Sequence, residues 1–373
     1  MERPVLEEHD VMRVVFDAYG MRVTKQMFLD SYDDVNILVH VSDLSTNENI
    51  VKVSPNGYVF KVLNTVDSKR EEFVDVMHGA IECVARAEIV TSRPVLTKDG
   101  RQYILQRFPN KTGETKEFLV RLFEFVPGET LDNKPYTADL CFQVGMMAAK
   151  IDRALKDFYP DALKCHTRHW NLREVGDLGS LVDVIDDGED RKLIRDVIRE
   201  FKTNVLENSQ LQRGAIHGDL NEGNIIVRRR ETQDGTLSTT PSEYGVIGVL
   251  DFGDLVYEYH VFEISITMAY MMIESKHGLD PLDAGGHVLA GYLSVFDLNG
   301  ADTKVIKECI AARLAQSFTY GALEHKKNPS NTYCLKTADR GWPVLRKLWS
   351  MSKKELFGHW NEILKCYDIK SLV

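Results

Sequence analysis

His217-Gly218-Asp219-Leu220-Asn221-Glu222-Gly223-Asn224 is the stretch that decides the fold, together with Leu250-Asp251-Phe252-Gly253-Asp254 further along the chain. The first stretch places a carboxylate, Asp219, five residues before an amide, Asn224, and the second sets Asp251 on a turn after an apolar run. Phosphoryl transfer needs a base aimed at the acceptor hydroxyl and hard oxygen ligands that hold Mg²⁺ against the phosphates. We predict Asp219 as the base, and Asn224 and Asp251 as the Mg²⁺ ligands.

Each stretch alone is weak evidence, because an Asp-Phe-Gly triplet occurs by chance and aspartate is a common turn residue. The two stretches in this order and at this separation are much harder to obtain by accident. Together they predict a kinase-like phosphoryl-transfer site. His217 fits a different role, and we predict that it braces the loop rather than taking part in the chemistry. The chain has no Walker A pattern, which excludes the P-loop class of nucleotide-binding proteins.

The composition is typical of a soluble globular protein. The chain has 373 residues, of which 43% are hydrophobic and 27% charged, which is enough for two or so lobes. Its net charge of −10 argues against a nucleic-acid or anionic-membrane partner, because both attract basic surfaces. The six cysteines include no Cys-x-x-Cys pair, which argues against structural zinc. The N-terminal residues lack an apolar signal core, and no apolar run approaches membrane-spanning length. We therefore predict a cytoplasmic protein with free thiols and no membrane partner.

The order of elements predicts an α+β, protein-kinase-like fold with two lobes. Residues 1–126 contain short β-rich runs and one internal helix, Ser68 to Ala87, and form a small N-lobe that covers the nucleotide. Pro127-Gly128 then breaks the chain, and residues 127–373 form a larger, mostly helical C-lobe. The predicted helices are 5–20, 138–156, 193–206, 262–273, 303–323 and 344–365, and the predicted strands are 23–29, 35–41, 57–63, 103–107 and 118–125. We expect the polar residues 231–244 to form a protruding hairpin or loop.

Lys61 is the predicted phosphate-binding lysine. Tyr58-Val59-Phe60-Lys61-Val62 alternates like a strand, and this lysine precedes the internal helix of the N-lobe. A kinase lysine is normally held by an acidic residue on that helix. Glu71, Glu72 and Asp75 are the candidates for this role. Asp75 falls among the inward positions, although aspartate is one methylene shorter than the usual glutamate, and the sequence leaves the choice open.

Two further segments are predicted to contact a purine nucleotide. The link from Asp30 to Asn36 stands where a phosphate-covering loop would be, but it lacks the glycines of a backbone cradle. Ser31, Tyr32 or Asn36 could offer donors there, and a plain polar turn is the alternative. The connection between the lobes carries apolar side chains that could sandwich a purine while backbone groups read its edge. The predicted contacts in this connection are Glu124, Phe125 and Val126.

These motifs resemble those of the aminoglycoside phosphotransferase and choline kinase group of kinase-like enzymes. Gly218 stands where protein kinases carry arginine, no Ala-Pro-Glu triplet follows Asp254, and an apolar helix begins too soon for an activation segment. A small-molecule acceptor is therefore favoured. Within the group the chain is most similar to the hydroxylysine kinases, over nearly its whole length, and Asp75 in place of Glu is the main departure. The matching stretches are Ser31 to Asp34, Leu119 to Leu122, Val126 to Gly128, Gly218 to Asn221, Leu250 to Asp254, Val261 to Glu263, Ala269 to Lys276 and Gly285 to Gly291.

The resemblance implies a reaction and its substrates. By it, the chain would transfer the γ-phosphate of GTP to the side-chain hydroxyl of 5-hydroxy-L-lysine and give 5-phosphohydroxylysine, an intermediate of lysine-type amino-acid breakdown. Mg²⁺ would be the metal, and ATP is the alternative donor. An acceptor with two ammonium groups and one carboxylate needs acidic residues, a bidentate arginine and an aromatic wall. The candidates are Asp254, Glu258, Glu263, Glu274, Arg313, Trp170 and Tyr257, and structural roles in the core or as a helix brace are the alternatives.

Two other functions stay open. Another small-alcohol kinase, for an aminoglycoside, choline or an amino alcohol, would use the same catalytic residues. A non-catalytic pseudokinase that acts as a binding module would be expected to lack Lys61, Asp219, Asn224 or Asp251. All of these residues are present, which argues against the pseudokinase.

Overall fold

The computed structural model describes residues 2–29, 31, 34–164, 166–230, 243–275, 279–327, 329 and 335–372. The chain forms two compact units. The first comprises Met1–Ala85 and Val90–Pro127, and the second comprises Arg86–Ile89 and Gly128–Val373. The first unit contains the larger β-sheet and the second is mostly helical, which confirms the predicted α+β class. The division was predicted after residue 126, and in the structure it follows Pro127. The segment 86–89 belongs to the second unit.

The elements of the described chain follow one another in a β-rich half and then a helix-rich half. In order they are α1 (Glu8–Tyr19), β1 (Met21–Leu29), β2 (Val35–Ser45), β3 (Tyr58–Val62), α2 (Glu71–Arg86), β4 (Val90–Thr91), β5 (Ile104–Pro109), β6 (Thr115–Glu124), β7 (Glu129–Thr130), α3 (Ala138–Ala154), α4 (Asp161–Lys164), α5 (Gly188–Phe201), β8 (Arg213–Ile216), β9 (Ile225–Arg229), β10 (Tyr244–Val249), β11 (Val256–Tyr259), α6 (His260–Glu274), α7 (Pro281–Leu293), α8 (Gly300–Lys304), α9 (Ile306–Lys327), α10 (Lys336–Ser350) and α11 (Lys353–Lys365).

An antiparallel sheet forms the body of the first unit. Its strands run in the order β1-β2-β3-β6-β5. Because side chains alternate between the two faces of a strand, Phe60 and its neighbour Leu122 lie in the apolar core that α1 also joins. Lys61 lies one residue further, beside Asn36 on β2 and Arg121 on β6. The register therefore puts these three polar side chains in one row on the other face of the sheet.

The burial pattern of α2 corrects the prediction for Asp75. The helix buries Phe73, Met77 and Val84, which recur at helical spacing as predicted. Asp75 precedes Met77 by two residues, which turns it about 200° around the helix axis. Its side chain is exposed. The prediction that Asp75 points inward is therefore wrong.

The centre of the second unit is α6, whose residues are buried almost all round, as their apolar pattern predicted. It packs against α7 and α9. With 15 residues α6 is shorter than a bilayer requires. Within the described ranges, no helix has both the length and the apolar character needed to cross a membrane.

Glycines allow α3 and α7 to approach backbone to backbone. A Cβ atom on Gly145 of α3 would overlap the carbonyl oxygen of Val288, and one on Gly291 of α7 would overlap that of Phe142. Only glycine fits at such a crossing without moving the helices apart. The stretch Gly285 to Gly291, which carried part of the family resemblance, thus includes a packing glycine.

Two predictions about the helical region need correction. The helix α7 was not predicted, because its three glycines read as breakers rather than as helix formers. The single helix predicted for residues 344–365 is two helices, α10 and α11. Ser352 caps the second one, in a reciprocal capping box with Glu355. Of the loop predicted for residues 231–244, residues 231–242 lie outside the described residues.

Candidate active site

Two antiparallel strand pairs bring the two motif loops together. On one side of the loops β8 pairs with β11, with Ile216 opposite Val256. On the other side β9 pairs with β10, with Ile225 opposite Val249. The two motif loops connect these strands and therefore lie side by side. The strand register thus explains how residues separated in the sequence come to share one site.

Asn221 organises the loop that carries Asp219. Its Oδ1 accepts hydrogen bonds from the backbone N–H groups of Gly223 (2.8 Å) and Asn224 (3.2 Å), and its Nδ2 donates to Asp219 Oδ2 (2.8 Å). Asn224 Nδ2 donates to the carbonyl oxygen of Asp219 (2.8 Å) and to its Oδ2 (3.1 Å). These bonds fix the direction of the carboxylate. No role was predicted for Asn221 from the sequence, although asparagine is a common organiser of turns.

Arg313 of α9 pairs with Asp219. Its Nη2 lies 2.8 Å from Asp219 Oδ1, while its Nη1 donates to the carbonyl oxygen of Trp170 (2.9 Å) and to Gln316 Oε1 (3.0 Å). The guanidinium also lies over the rings of Trp170 (5.1 Å) and Tyr270 (5.4 Å). Arg313 is 2% exposed. The arginine predicted to bind an acceptor carboxylate is therefore the ion-pair partner of the predicted base.

The surroundings of Asp219 make its carboxylate more basic. Burial raises the pKa of Asp219 to about 6, and the Arg313 charge limits the rise. The charges of Asp254 and Asp251 add to the increase. A carboxylate of this pKa is mostly ionised at pH 7 and still basic enough to accept a proton, which is the combination that general-base catalysis requires.

His217 and Glu263 support the backbone of this loop. His217 Nε2 donates to the carbonyl oxygen of Leu250 (2.9 Å), and its Nδ1 accepts the N–H of Asp219 (3.3 Å). Glu263 Oε2 accepts the N–H of Gly218 (2.9 Å). His217 therefore links the two motif loops, which is the arrangement expected of a brace.

Gly218 adopts a conformation that excludes a side chain. Its φ is 81°, and a Cβ atom there would lie 2.5 Å from the carbonyl oxygen of Asp254. Glycine reaches this region freely, whereas other residues are strained in it. An arginine at this position, as in protein kinases, would not fit. The Asp254 carboxylate pairs with Arg168 Nε at 3.1 Å.

The side chains of Asn224 and Asp251 suit a divalent cation. Because Asn224 Nδ2 is held by Asp219, its Oδ1 points elsewhere and accepts no hydrogen bond from the described residues. Asp251 has a φ of 57° and is exposed, and its Oδ1 accepts the N–H of Gly253 (2.9 Å). The Leu250 N–H donates to the carbonyl oxygen of Asn224 (2.8 Å), so the two ligand candidates adjoin. Two oxygen ligands fit Mg²⁺, which keeps several waters and binds phosphates. The described residues contain no cluster of three His, Cys, Asp or Glu side chains fit for a metal.

In the first unit, Lys61 lies against Asp34. The Lys61 Nζ is 3.2 Å from Asp34 Oδ2, and the lysine is 8% exposed. Asp75 instead lines a cavity of about 710 Å³ together with Glu71, which accepts a hydrogen bond from Tyr103 (2.9 Å). Among the described residues, Lys61 forms no ion pair with either helix carboxylate. The acidic neighbour of the lysine thus comes from the loop before β2 rather than from α2.

The other predicted nucleotide contacts are also in the first unit. Ser31 accepts a hydrogen bond from Arg3 (3.0 Å), and Asn36 Oδ1 is buried without a hydrogen-bond partner among the described residues. Tyr32 lies outside the described residues. Among the contacts predicted in the connection, Glu124 ends β6, and its N–H donates to the carbonyl oxygen of Arg93 (2.9 Å). For the rest of that group, the Phe125 N–H donates to Gly57 (3.2 Å), and Val126 is buried.

Most carboxylates predicted to bind the acceptor are engaged within the protein. Arg173 contacts both oxygens of Glu258 (2.6 and 2.8 Å), and Glu258 is 3% exposed. Glu274 accepts hydrogen bonds from Arg340 (2.8 and 3.0 Å). Glu263 is fully buried beneath the loop it supports. Because Glu258 is already paired with an arginine and Glu263 has no access to solvent, this placement argues against both as ligands for an ammonium group of the acceptor.

The two predicted aromatic residues lie in different surroundings. Trp170 packs edge-on against Tyr320 (5.1 Å) and beneath the Arg313 guanidinium, and so adjoins the partner of the base. Tyr257, which lies on β11, packs against Tyr159 with 4.3 Å between the ring centres. The structure therefore brings Trp170, but not Tyr257, into the neighbourhood of Arg313.

Glu222 is a residue that sequence analysis missed. Its Oε2 is buried and has no hydrogen-bond partner among the described residues. Burial raises the pKa of Glu222 to about 7, and the nearby charges of Glu274 and Asp132 raise it further. Its position between Asp219 and Asn224 was the available signal that it belongs to the site. Nothing in the sequence indicated that its Oε2 would be buried without a hydrogen-bond partner among the described residues.

The chain is similar to known phosphotransferases over most of its length. The profile of the "Phosphotransferase enzyme family" (APH) matches residues 51–295. The hydroxylysine kinase of Bos taurus is 32% identical over 373 residues, covering 99% of this chain and 96% of the relative. The hydroxylysine kinase of Mus musculus is 31% identical over 371 residues, covering 98% of this chain and 95% of the relative.

The fold is shared with a solved kinase structure. Amicoumacin kinase hAmiN, in complex with AMP-PNP, Ca²⁺ and Ami, aligns with a TM-score of 0.61 at 16% identity. The alignment covers 92% of this chain and 93% of that one. At this identity the likeness shows the fold alone, and it confirms the predicted protein-kinase-like class.

Proposed function

The chain belongs to the phosphotransferase enzyme family, and from this premise we propose that it transfers the γ-phosphate of GTP to the side-chain hydroxyl of 5-hydroxy-L-lysine. As a member of this family it is a small-molecule kinase that acts on an alcohol group. The acceptor is proposed because the similarity to hydroxylysine kinases extends over nearly the whole chain. The product would be 5-phosphohydroxylysine.

The proposal depends above all on the arrangement around Asp219. Its carboxylate receives hydrogen bonds from Arg313 (2.8 Å), Asn221 (2.8 Å) and Asn224 (3.1 Å). A base held in this way is aimed before the acceptor arrives, which lowers the cost of reaching the reactive geometry. We propose that Asp219 accepts the proton of the acceptor hydroxyl as the hydroxyl oxygen attacks the γ-phosphorus of the donor, while the bond between that phosphorus and the β–γ bridging oxygen breaks and GDP leaves.

We propose Asn224 and Asp251 as the ligands of Mg²⁺. When bound, Mg²⁺ neutralises charge on the phosphate oxygens during transfer. Asn224 contributes a side-chain oxygen that accepts no hydrogen bond from the described residues, and Asp251 contributes an exposed carboxylate. Lys61 is proposed to contact the phosphates of the donor, as the lysine of kinase-like enzymes does. Asp34 is its acidic neighbour at 3.2 Å.

Aromatic side chains lie beside the base. The guanidinium of Arg313 lies over the rings of Trp170 and Tyr270, at 5.1 and 5.4 Å from their centres. We propose that Trp170 forms one wall of the acceptor site. We propose GTP rather than ATP as the donor from the resemblance to hydroxylysine kinases, and Glu124, Phe125 and Val126 as the purine contacts.

The test is phosphate transfer over a panel of acceptors. The enzyme with Mg²⁺ and either GTP or ATP is offered 5-hydroxylysine, choline, homoserine and kanamycin, with lysine as the control that lacks a side-chain hydroxyl. We expect the highest kcat/KM with 5-hydroxylysine and GTP, and no phosphorylation of lysine. A higher kcat/KM with choline or kanamycin would reject the acceptor while leaving a kinase. If no acceptor gained phosphate, a binding module would be the better description.

A further inference from the structure

We propose that Glu222 and Tyr136 form a subsite in the second unit for the ammonium group that neighbours the acceptor's hydroxyl. The inference rests on the proposed function, because it assigns a partner to one charge of a hydroxylysine-like acceptor. It makes Glu222 a specificity-determining residue of the same loop that carries the base. Neither residue is among those predicted from the sequence.

Two buried polar atoms mark this subsite. Glu222 Oε2 is shielded from solvent and accepts no hydrogen bond from the described residues. The hydroxyl of Tyr136 is also buried without a partner among them, and the whole residue is 6% exposed. Most buried polar groups in folded proteins are hydrogen-bonded, so two unpartnered ones in the same neighbourhood point to a missing ligand. The Leu131 N–H donates to the carbonyl oxygen of Ile225 (2.9 Å), which brings the segment before Tyr136 beside the end of the Glu222 loop, and Glu222 acts electrostatically on Tyr136.

The charges of the neighbourhood select a cation. Asp132 and Glu274 act electrostatically on Glu222, and all three are carboxylates. Asp132 pairs with Lys336 (3.4 Å), and Glu274 pairs with Arg340 (2.8 Å). Glu222 has no ion-pair partner in the described part of the chain. Lys336 offsets part of this negative charge, but within the described residues it pairs with Asp132. The carboxylates around Glu222 would therefore repel an anion and attract an ammonium, which would hold Glu222 in its ionised form.

Tyr270 connects this subsite with the base. Both Asp219 and Glu222 act on its hydroxyl electrostatically. The ring of Tyr270 also lies 5.4 Å from the guanidinium of Arg313, which is bonded to Asp219. Both carboxylates, of Asp219 and Glu222, are therefore neighbours of the same aromatic residue. We expect a ligand that reaches Asp219 to lie near Glu222 as well.

The covalent structure of the acceptor requires its ammonium group to lie near its hydroxyl group. In 5-hydroxylysine the hydroxyl and the side-chain ammonium are on adjacent carbon atoms. When the hydroxyl is at the base, the ammonium must therefore lie close to the base as well. A carboxylate three residues after Asp219, on the same loop, can meet that requirement, whereas a distant acidic residue cannot. The ammonium would donate to Glu222 Oε2 and to the lone pair of the Tyr136 hydroxyl.

The experiment compares two enzymes with two acceptors. Glu222→Gln removes the charge and keeps the shape of the side chain. The second acceptor, 2-amino-5-hydroxyhexanoic acid, keeps the hydroxyl, the α-ammonium and the carboxylate but lacks the side-chain ammonium. We expect Glu222→Gln to lower kcat/KM for 5-hydroxylysine by about 10- to 100-fold, the worth of a charged hydrogen bond. For the acceptor without the ammonium, kcat/KM should change by less than about 3-fold, since the lost bond is not made.

Controls separate this inference from the proposed function. The matched variant Glu207→Gln changes an exposed glutamate of the same unit and should behave like the unmodified enzyme with both acceptors. Suppose that the unmodified enzyme uses 5-hydroxylysine, and that Glu222→Gln lowers kcat/KM equally for both acceptors or for neither. The subsite is then rejected and the proposed function stands. If the enzyme prefers another vicinal amino alcohol and Glu222→Gln weakens it selectively, the subsite is supported and the hydroxylysine assignment is rejected. Preference for a neutral alcohol rejects both.

Discussion

At the scale of single residues, the carboxylate of Asp219 has its position set before any substrate binds. Arg313 donates to Oδ1, and Asn221 and Asn224 donate to Oδ2. These donors stabilise the ionised form, whereas burial opposes it, and the net result is a pKa of about 6. Orientation and basicity of the carboxylate thus have separate structural causes.

Replacing this base should remove most of the activity. Asp219→Asn keeps the size of the side chain but cannot accept the proton of the hydroxyl. We expect turnover to fall by roughly 10²- to 10⁴-fold, which is the usual contribution of a positioned general base. Binding of the nucleotide should survive. Steady-state kinetics and nucleotide titration check the two statements, with Asp177→Asn, an exposed aspartate of the same unit, as the control. Near-normal turnover in Asp219→Asn would exclude this residue as the base.

His78 makes the stability of the protein depend on pH. The side chain is 2% exposed, bonded through Nδ1 to Gln102, and without a described partner at Nε2. Burial, and then the nearby Arg121 charge, lower its pKa to about 4 from 6.5. Between these two values the unfolded chain binds the proton and the folded one does not, so stability is lost as the pH falls from 6.5 towards 4.

The effect of His78 should be seen in a mutant. From pH 7.5 to pH 4.5 the single histidine is expected to cost roughly 2 to 3 kcal/mol of unfolding free energy. Urea unfolding at the two pH values, compared between the unmodified protein and His78→Gln, isolates this contribution because other groups titrate in both. An equal loss of stability in the two proteins would show that His78 does not remain neutral in the folded state.

At the scale of elements, the crossing of α3 and α7 depends on glycine. A Cβ atom at Gly145 would overlap the carbonyl oxygen of Val288, so the helices must separate to admit it. We expect Gly145→Ala to destabilise the protein by about 1 to 3 kcal/mol or more, as overpacking does. Gly358 of α11 is the matched control, because nothing lies within 4 Å of its Cβ position. Gly358→Ala should stabilise by roughly 0.5 to 1 kcal/mol through helix propensity. Equal effects of the two substitutions on urea unfolding would contradict the packing argument.

Elements with a strong repeating pattern could be predicted from the sequence, and α7 could not. The strands of the first unit and the buried helix α6 follow from side-chain alternation and from an apolar stretch. By contrast, α7 combines Gly285, Gly286 and Gly291, which lower the helix propensity and signal a loop. Its stability comes from tertiary contact with α3, and a single sequence does not display that contact.

In the candidate site, too, some features could be predicted from the sequence and others could not. Asp219, Asn224 and Asp251 were predicted because their spacing within motifs is local. The pairing of Arg313 with Asp219 joins residues 94 positions apart, so no pattern in the sequence could indicate it. That Glu222 Oε2 is buried without a hydrogen-bond partner among the described residues is likewise a property of the folded chain. Residue types are thus predictable at such a site, whereas their partners are decided by packing.

At the scale of the whole molecule, donor binding should stabilise the folded chain. A ligand that binds only the native state adds free energy according to its concentration relative to its Kd, about 2.7 kcal/mol at a hundredfold excess. If Asp251 and Asn224 hold the Mg²⁺ that accompanies the donor, this gain requires metal and nucleotide together. GTP with EDTA should then stabilise much less than GTP with Mg²⁺.

Asp251→Ala should abolish this metal-dependent stabilisation. Because Asp251 has a φ of 57°, the substitution also strains the backbone and lowers the stability of the ligand-free protein. The quantity to compare is therefore the change in Tm on adding Mg²⁺ and GTP, not the Tm itself. We expect a rise of several °C in the unmodified protein and in the control Asp177→Ala, and almost none in Asp251→Ala. A full rise in Asp251→Ala would mean that the metal is bound elsewhere. A rise in the unmodified protein that persists in EDTA would mean that the nucleotide binds without the metal.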